Sequence, residues 1–489
     1  MTPAHHAALR RWAILAVVVA VLTGGAALTR SPGRASPGGP PVSPGAIVSA
    51  PDAESSAWYC TGQSTASGKI AAGTLILTDT TARAVSGVIS AVTDSGATAS
   101  SSVTVPAMRQ IVASVPAPSA GTWVSYTVTL AGGGVAVTQA VQGSGGWSET
   151  PCQSGTSANW YFPSGTTAGT NVLFVALFNP TATPVVVDMS FVTPGGLVHP
   201  INFQGLVLQP GQTEVQNVSS YVQEQSRVST AVTARAGRIV ASELELLSTP
   251  GSGVAIVPGL PRTESQWTVP ESLEINGGAS SIDIFNPGPA TEDVTVRARL
   301  NTGPLAPFTQ RLLPNSTWAL ATNSQSRIPQ GDAYSAVIDA TGGPGVVVGR
   351  SVSAAGSAQS PQAGIANAVD GLSAAWPSEQ WVLPGPGSPG SPILAGVLPA
   401  HVALSNVGTT TERYVVNVLT ARGPREIASG TLDPSHFISL GVSILFGAGL
   451  RPLLVQASGP LAVSEDVGPS ATIGVITMPG IPLRVALGS

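Results

Sequence analysis

Few residues in this chain have the type and spacing that chemistry requires. Five histidines occur in 489 residues. His5 and His6 lie on an N-terminal stub, and His199, His401 and His436 are scattered, none with a His or Cys two or four positions away to complete a metal pair. Each reads as an ordinary surface or turn histidine. Asp188, Asp283, Asp339, Glu243 and Glu245 fall within strand-like patterns, where a facing carboxylate pair would be the equipment of a glycoside hydrolase; by default they read as solvent-facing strand residues. Gly385-Pro386-Gly387-Ser388-Pro389-Gly390 matches the dinucleotide fingerprint only formally, because that motif must open a helix and its two prolines forbid one. No Gly-x-Ser-x-Gly elbow and no phosphate-binding loop occurs. The two cysteines, Cys60 and Cys152, have no histidine nearby to make either a nucleophile, and in an exported chain they are expected to form a disulfide. No catalytic, cofactor-binding or metal-ligating residue is therefore assigned, and no cofactor is expected.

What the chain does offer is repetition. A segment of roughly 100 residues recurs four times, opening at Trp58, Trp160, Trp267 and Trp381, the first copy being the most divergent. Each copy continues with an apolar run into a turn: Leu75 to Asp79, Leu173 into Asn179-Pro180, Ser281 into Asn286-Pro287, and Val402 into Asn406-Val407-Gly408. The same distance separates Trp160 from Asn179 and Trp267 from Asn286, which points to divergent duplication. After the turn the apolar period is two, as in Val185-Val186-Val187-Asp188-Met189-Ser190-Phe191 and Val294-Thr295-Val296-Arg297-Ala298-Arg299-Leu300, so these are strands and not helices. Gly-containing turns, a Leu-x-Pro corner, two more strands and a short tail ending Pro258-Gly259 or Pro479-Gly480 complete the copy. Proline falls at strand ends because it has no N–H to give a ladder, so Pro180 and Pro287 read as fold punctuation.

About seven short strands per copy predict an all-β protein of four tandem immunoglobulin-like β-sandwiches. The expected domains are 58–153, closed by the disulfide, then 158–262, 263–372 and 376–489. Propeller blades are about 40 residues long, less than half this repeat. Charged residues make up 9% of the chain, against about a quarter in ordinary domains. With a formal net charge of −4 there is no basic face to attract phosphates, so nucleic acid is not an expected partner.

The N-terminus supplies an address. Arg10 and Arg11 precede an uncharged 18-residue stretch, Trp12 to Thr29, long enough to span a bilayer with the basic flank inside. Residues 1–30 are accordingly expected to be a cytosolic stub and a transmembrane signal anchor, with secretion as the alternative if the segment is cleaved. Residues 31–57, rich in Pro, Gly and Ser, read as a flexible spacer that lifts the domains off the membrane.

Trp58, Trp160, Trp267 and Trp381 hold equivalent positions and are expected to anchor each copy in its own core or against the preceding domain. Trp123, Trp147, Trp318 and Trp376 do not repeat and are the candidates for an exposed platform for a sugar ring or a partner protein. Asn159-Trp160-Tyr161-Phe162-Pro163, the apolar strand into Asn179-Pro180, the Val-x-Val strand and the Leu-x-Pro corner resemble the repeats opening Asn-Trp-Tyr-Phe of bacterial surface proteins. With its membrane segment and Trp-Tyr-Cys opening, the chain resembles an actinobacterial family of extracytoplasmic proteins of unknown function. The resemblance implies fold and location and transfers no catalytic residue. Two function classes follow: a non-enzymatic envelope scaffold or interaction module, whose partner would be an envelope protein or a cell-wall polysaccharide, and alternatively a glycan-binding or, less so, glycan-processing module.

Overall fold

A computed structural model describes residues 45–484 except 67, 117, 144–145, 249–252, 274–278, 354–364, 369–371, 374–377, 386–399, 442–450 and 471–473. The apolar segment Trp12 to Thr29 lies outside the described residues. These are all-β: strands and three 3-10 turns, with no α-helix among them. In each copy the first, third and sixth strands, with a fourth at the edge, form one sheet. The second, fifth, seventh and eighth form the other. In the second copy Asn159–Phe162, Ser229–Ala236 and Val185–Thr193 are joined edge to edge, with Gly196–Val198 and Leu206–Leu208 at the margin; Gly253–Pro258, Val240–Leu247, Val172–Phe178 and Thr213–Asn217 make the facing sheet. The other three copies repeat this order, and in the first copy the two sheets touch through a single parallel pair, Ser64 with Ala72. Alternation supplies the core: Val185, Val187, Met189 and Phe191 turn inward, onto Trp160, Leu173, Val175 and Leu177.

The topology departs from the immunoglobulin pattern, in which the first and second strands share one sheet and the sixth and seventh share the other. Here the sixth strand pairs with the first, and the seventh crosses to pair with the second. In the fourth copy both are one continuous strand, Leu453–Ser470, that begins in one sheet and finishes in the other. The crossover is tight, and glycine permits it: Gly237 has φ +83° and a Cβ there would lie 2.7 Å from the Val185 side chain; at Gly345, φ +96°, it would lie 2.3 Å from the Glu264 carbonyl. Period and turn residues reveal strands and their ends, but not which sheet a strand joins.

Nor are the copies beads on a string. Pro44–Ser489 is one compact unit. The sheet of each copy that carries its Trp strand packs on the opposite sheet of the next copy. Ser242 Oγ donates to the Thr61 carbonyl (2.8 Å) between copies one and two, Ser229 and Thr317 hydroxyls pair (2.7 Å) between two and three, and Ser335 and Ser405 pair (3.1 Å) between three and four. The same arrangement closes the circle. Gln110 exchanges two 2.8 Å hydrogen bonds with the Gly385 backbone, and Val382, Leu454 and Leu483 of the fourth copy join the core of the first. The four eighth strands, Gly146–Pro151, Gly253–Pro258, Ile365–Ala368 and Gly474–Pro479, contact one another in a cycle at the centre. A head-to-tail contact whose rotation closes makes a ring, and this chain does so within itself.

The segment preceding Trp58 takes part, which corrects the flexible-spacer reading from residue 45 onward. Val48 is fully buried, bridges Leu483 in parallel, donates its N–H to Pro482 O (2.8 Å) and accepts from Arg484 N (3.1 Å). Ser49 O accepts from Gly134 N at 2.9 Å, so the strap ties the last copy to the first. Length and Pro/Gly content misled here because an extended strand of a few residues has no periodicity to detect.

Candidate functional site

The residues that sequence singled out are where each copy is locked. Trp58, Trp160, Trp267 and Trp381 are all buried, 0–3% exposed. The Trp160 Nε1–H donates to Ile239 O (3.0 Å) and Trp267 Nε1–H to Val346 O (2.8 Å), so each indole pins the first strand to the glycine-rich crossover of its own copy. Asn179, fully buried, donates its amide to Thr183, Leu208 and Gln209 carbonyls and accepts from Thr181 N. Asn286 and Asn406 repeat the pattern. Pro180 and Pro287 follow those asparagines in the turn. Every copy ends by laying its tail on its own first strand, Leu260 on Tyr161 and Ile481 on Val382. In the first copy Gln153 does this on Tyr59, and the adjacent Cys152 is bonded to Cys60, with Cα atoms 4.8 Å apart.

Asp79 stands in the first copy where the others have Asn. Its Oδ1 accepts from Thr81 N (2.6 Å), while Oδ2 is buried with no partner among the described residues. Burial pushes its pKa up from 3.8 to about 6, against the lowering effect of Thr81. Below pH about 4 the group is protonated in both folded and unfolded states and costs nothing. Between about 4 and 6 only the unfolded state releases the proton, and above 6 the penalty is complete. Asp79→Asn is expected to raise stability at pH 7.5 by about 2 to 3 kcal/mol and to leave it unchanged at pH 3.5. Urea unfolding of both proteins across pH 3.5 to 8 measures this; equal curves would show that Asp79 titrates normally.

Three of the five carboxylates that read as solvent-facing are otherwise placed, and Asp188 and Asp339 keep partly exposed side chains. Glu243, Glu245 and Asp283 are buried, 1–3% exposed, while Asp188 and Asp339 pair with Arg235 and Arg297. The correction has one cause: the second and seventh strands are covered on both faces, by the core of their own copy and by the neighbouring copy. A pattern emerges at one register position. Gln139, Glu243, Arg350 and Glu465 pair across the sheet with Leu75, Val175, Ile282 and Val402, each four residues before the Asp or Asn of its copy. All four are 1–5% exposed. Gln139 donates to Thr61 O (3.1 Å) and Arg350 to Glu271 O, both in the first strand of their own copy. Arg350 reaches further, into the fourth copy, where it meets Thr477 and, at 2.5 Å, Asp466 Oδ1. Burial, then the Asp466 charge, push Glu271 up to about 7. Burial raises Glu465, helped by Glu149 and Asp466, and raises Glu243, helped by Glu245. Of these groups Arg350 spans the seam between the third and fourth copies, while Glu243 accepts from Thr230 inside its own copy.

Sequence also missed Glu292 and Glu412, equivalent residues at the start of the third strand. Glu292 accepts from Gly343 N (3.1 Å) and Gly345 N (2.7 Å) in the crossover, and Glu412 accepts from Thr410 and Ser458 hydroxyls. Their identical position before a Val-x-Val or Tyr-x-Val strand was the available signal.

The non-repeating tryptophans give no platform among the described residues. Trp123 is buried with its ring 5.0 Å from Phe174, Trp147 and Trp318 are half-buried against the cores of the fourth and third copies, and Trp376 lies outside the described residues. His401 bonds Ser439 and His436 bonds Arg299. His199 lines an open groove of about 480 Å³ on the second copy, with Thr193, Val198, Pro200, Tyr221, Val222, Gln223 and Gln225. Tyr221 is the one aromatic side chain exposed among the described residues, at 52%. No group of three potential metal ligands occurs among the described residues.

No curated protein matches the chain. Of solved structures, it is similar to the crystal structure of Thermotoga maritima 1070, at 19% identity over 23% of this chain and 95% of that one, with a TM-score of 0.20. It is similar also to Streptomyces avermitilis alpha-L-rhamnosidase complexed with L-rhamnose, at 11% identity over 84% of this chain and 55% of that one, with a TM-score of 0.11. Superpositions this loose carry neither fold nor function across. A family model matches residues 129–375, half of the chain and most of it in the second and third copies, and by that match the chain belongs to the family of unknown function DUF5719.

Proposed function

We propose that this protein is a non-enzymatic extracytoplasmic module of the cell envelope, held at the membrane by Trp12 to Thr29, whose closed ring of four sandwiches displays a rigid surface for an envelope partner. The observation that carries this reading is the fate of the ionisable strand residues. A two-carboxylate hydrolase needs both groups at a cleft, whereas Glu243, Glu245, Glu271, Asp283 and Glu465 are consumed inside the copies and between them. What remains outside is a surface poor in charge, from a chain with 9% charged residues. Such a ring resists deformation, since each copy is braced on both sides.

The test is topology followed by capture. Protease added to intact spheroplasts should digest the copies, and an affinity-tagged full chain should retain an envelope component from solubilised membranes. Protection of the copies would refute the location; a protein outside the cell that captures nothing would refute the interaction role.

A further inference from the structure

The groove on the second copy has the construction of a binding site. Its aromatic floor is built from the core outward: Phe191 meets Phe203 edge-on at 5.2 Å and Phe203 meets Tyr221 edge-on at 5.2 Å. Phe191 and Phe203 are fully buried, so the half-exposed Tyr221 ring is held in one orientation and loses little entropy on binding. Val198, 37% exposed, lines the groove, and Leu197 and Ile201, 39% and 81% exposed, flank it in the chain. Five of the seven exposed large apolar side chains among the described residues fall between positions 197 and 221. The polar lining is neutral. Gln223 and Gln225 are linked by the 2.7 Å bond from Gln225 Nε2 to Gln223 O, and Gln223 Nε2 donates to Ser220 O at 3.2 Å, which fixes both amides and leaves their Oε1 atoms as acceptors. Thr193 and His199 face them, and no Asp, Glu, Lys or Arg lines the groove.

We infer that this groove binds a neutral carbohydrate chain, one pyranose ring lying on Tyr221 with its hydroxyls bonded to Gln223, Gln225 and His199. The inference deepens the interaction role proposed above and rests on it. A sugar ring has an apolar C–H face and a polar rim, which is the combination a fixed aromatic ring beside amides and an imidazole complements. About 480 Å³ falls within the range of small-ligand sites. A charged polymer finds no counter-ion here. Beside the groove a peptide adding as a strand finds Gly196–Val198, three residues at the sheet margin soon ended by Pro200.

Maltohexaose, cellohexaose, N-acetylchitohexaose and, as the charged comparison, heparin hexasaccharide should be titrated calorimetrically into the full chain in detergent. At least one neutral oligosaccharide is expected to bind, and Tyr221→Ala, a half-exposed substitution whose melting is checked alongside, is expected to weaken it at least tenfold. Gln223→Ala with Gln225→Ala should weaken it comparably, and Tyr221→Phe should bind as wild type if the ring face is what matters. Binding of no neutral oligosaccharide, preference for heparin, or a Tyr221→Ala protein that binds normally would each overturn the inference. Membrane capture repeated with Tyr221→Ala separates the two readings: a retained envelope partner without sugar binding leaves the module standing and removes only the groove.

Discussion

Replacing Arg350 by Ala is expected to destabilise the ring by about 3 to 5 kcal/mol, the cost of leaving buried charge without its partner. Arg350 is 1% exposed and is shared between the third and fourth copies through Glu271 O, Thr477 and Asp466. Without it Asp466 faces Glu271 and Glu465 with no counter-charge, and either a proton is taken up or the seam opens. Arg350→Met with Asp466→Leu should recover most of the loss, because an apolar pair of similar volume pays no desolvation penalty. Guanidinium unfolding of wild type, both single variants and the double variant measures the cycle. A loss below about 1 kcal/mol for Arg350→Ala would show that the seam does not depend on this contact.

Trp160→Ala should cost about 3 to 5 kcal/mol, through the cavity left by a fully buried indole and the hydrogen bond lost at Ile239 O. Tandem domains in loose contact would respond locally, the second copy melting early while the others melt as before. The ring changes that expectation. The second copy is sealed to the first through Ser242 and Trp123 and to the third through Ser229 and Tyr161, so its loss exposes both neighbours. Calorimetry is expected to show one transition that moves as a whole. An early peak of about a quarter of the enthalpy, with the rest unmoved, would mean that the copies are energetically separate; unchanged melting would mean that Trp160 is not a core anchor.

Strand content and the fourfold recurrence were legible because each depends on local information, and the pairing of Cys60 with Cys152 because the chain has two cysteines. A period of two, a Pro-Gly tail and a Trp opening survive in every copy, and Pro151-Cys152 sits where Pro258-Gly259 and Pro479-Gly480 do. The asparagine turns were legible as turns, though not as the clamps that their amides make across to the Leu-x-Pro corner. The groove around Tyr221 was invisible, since its residues come from three separate turns and none belongs to a motif.

The sequence alone determined how this chain is cut into copies and that each copy is built of strands. Tertiary structure alone decided that the copies close on themselves, and the reason lies in the outer face of the seventh strand. Thr138, Ser242, Gly349 and Ser464 occupy it one position before the buried polar residue of each copy. Small residues of that kind suit a hydrated sheet surface and a dry, close interface equally well, so composition cannot distinguish them. Only the approach of another copy, which leaves Thr138, Ser242 and Ser464 at 2% exposure or less, turns that face into an interior.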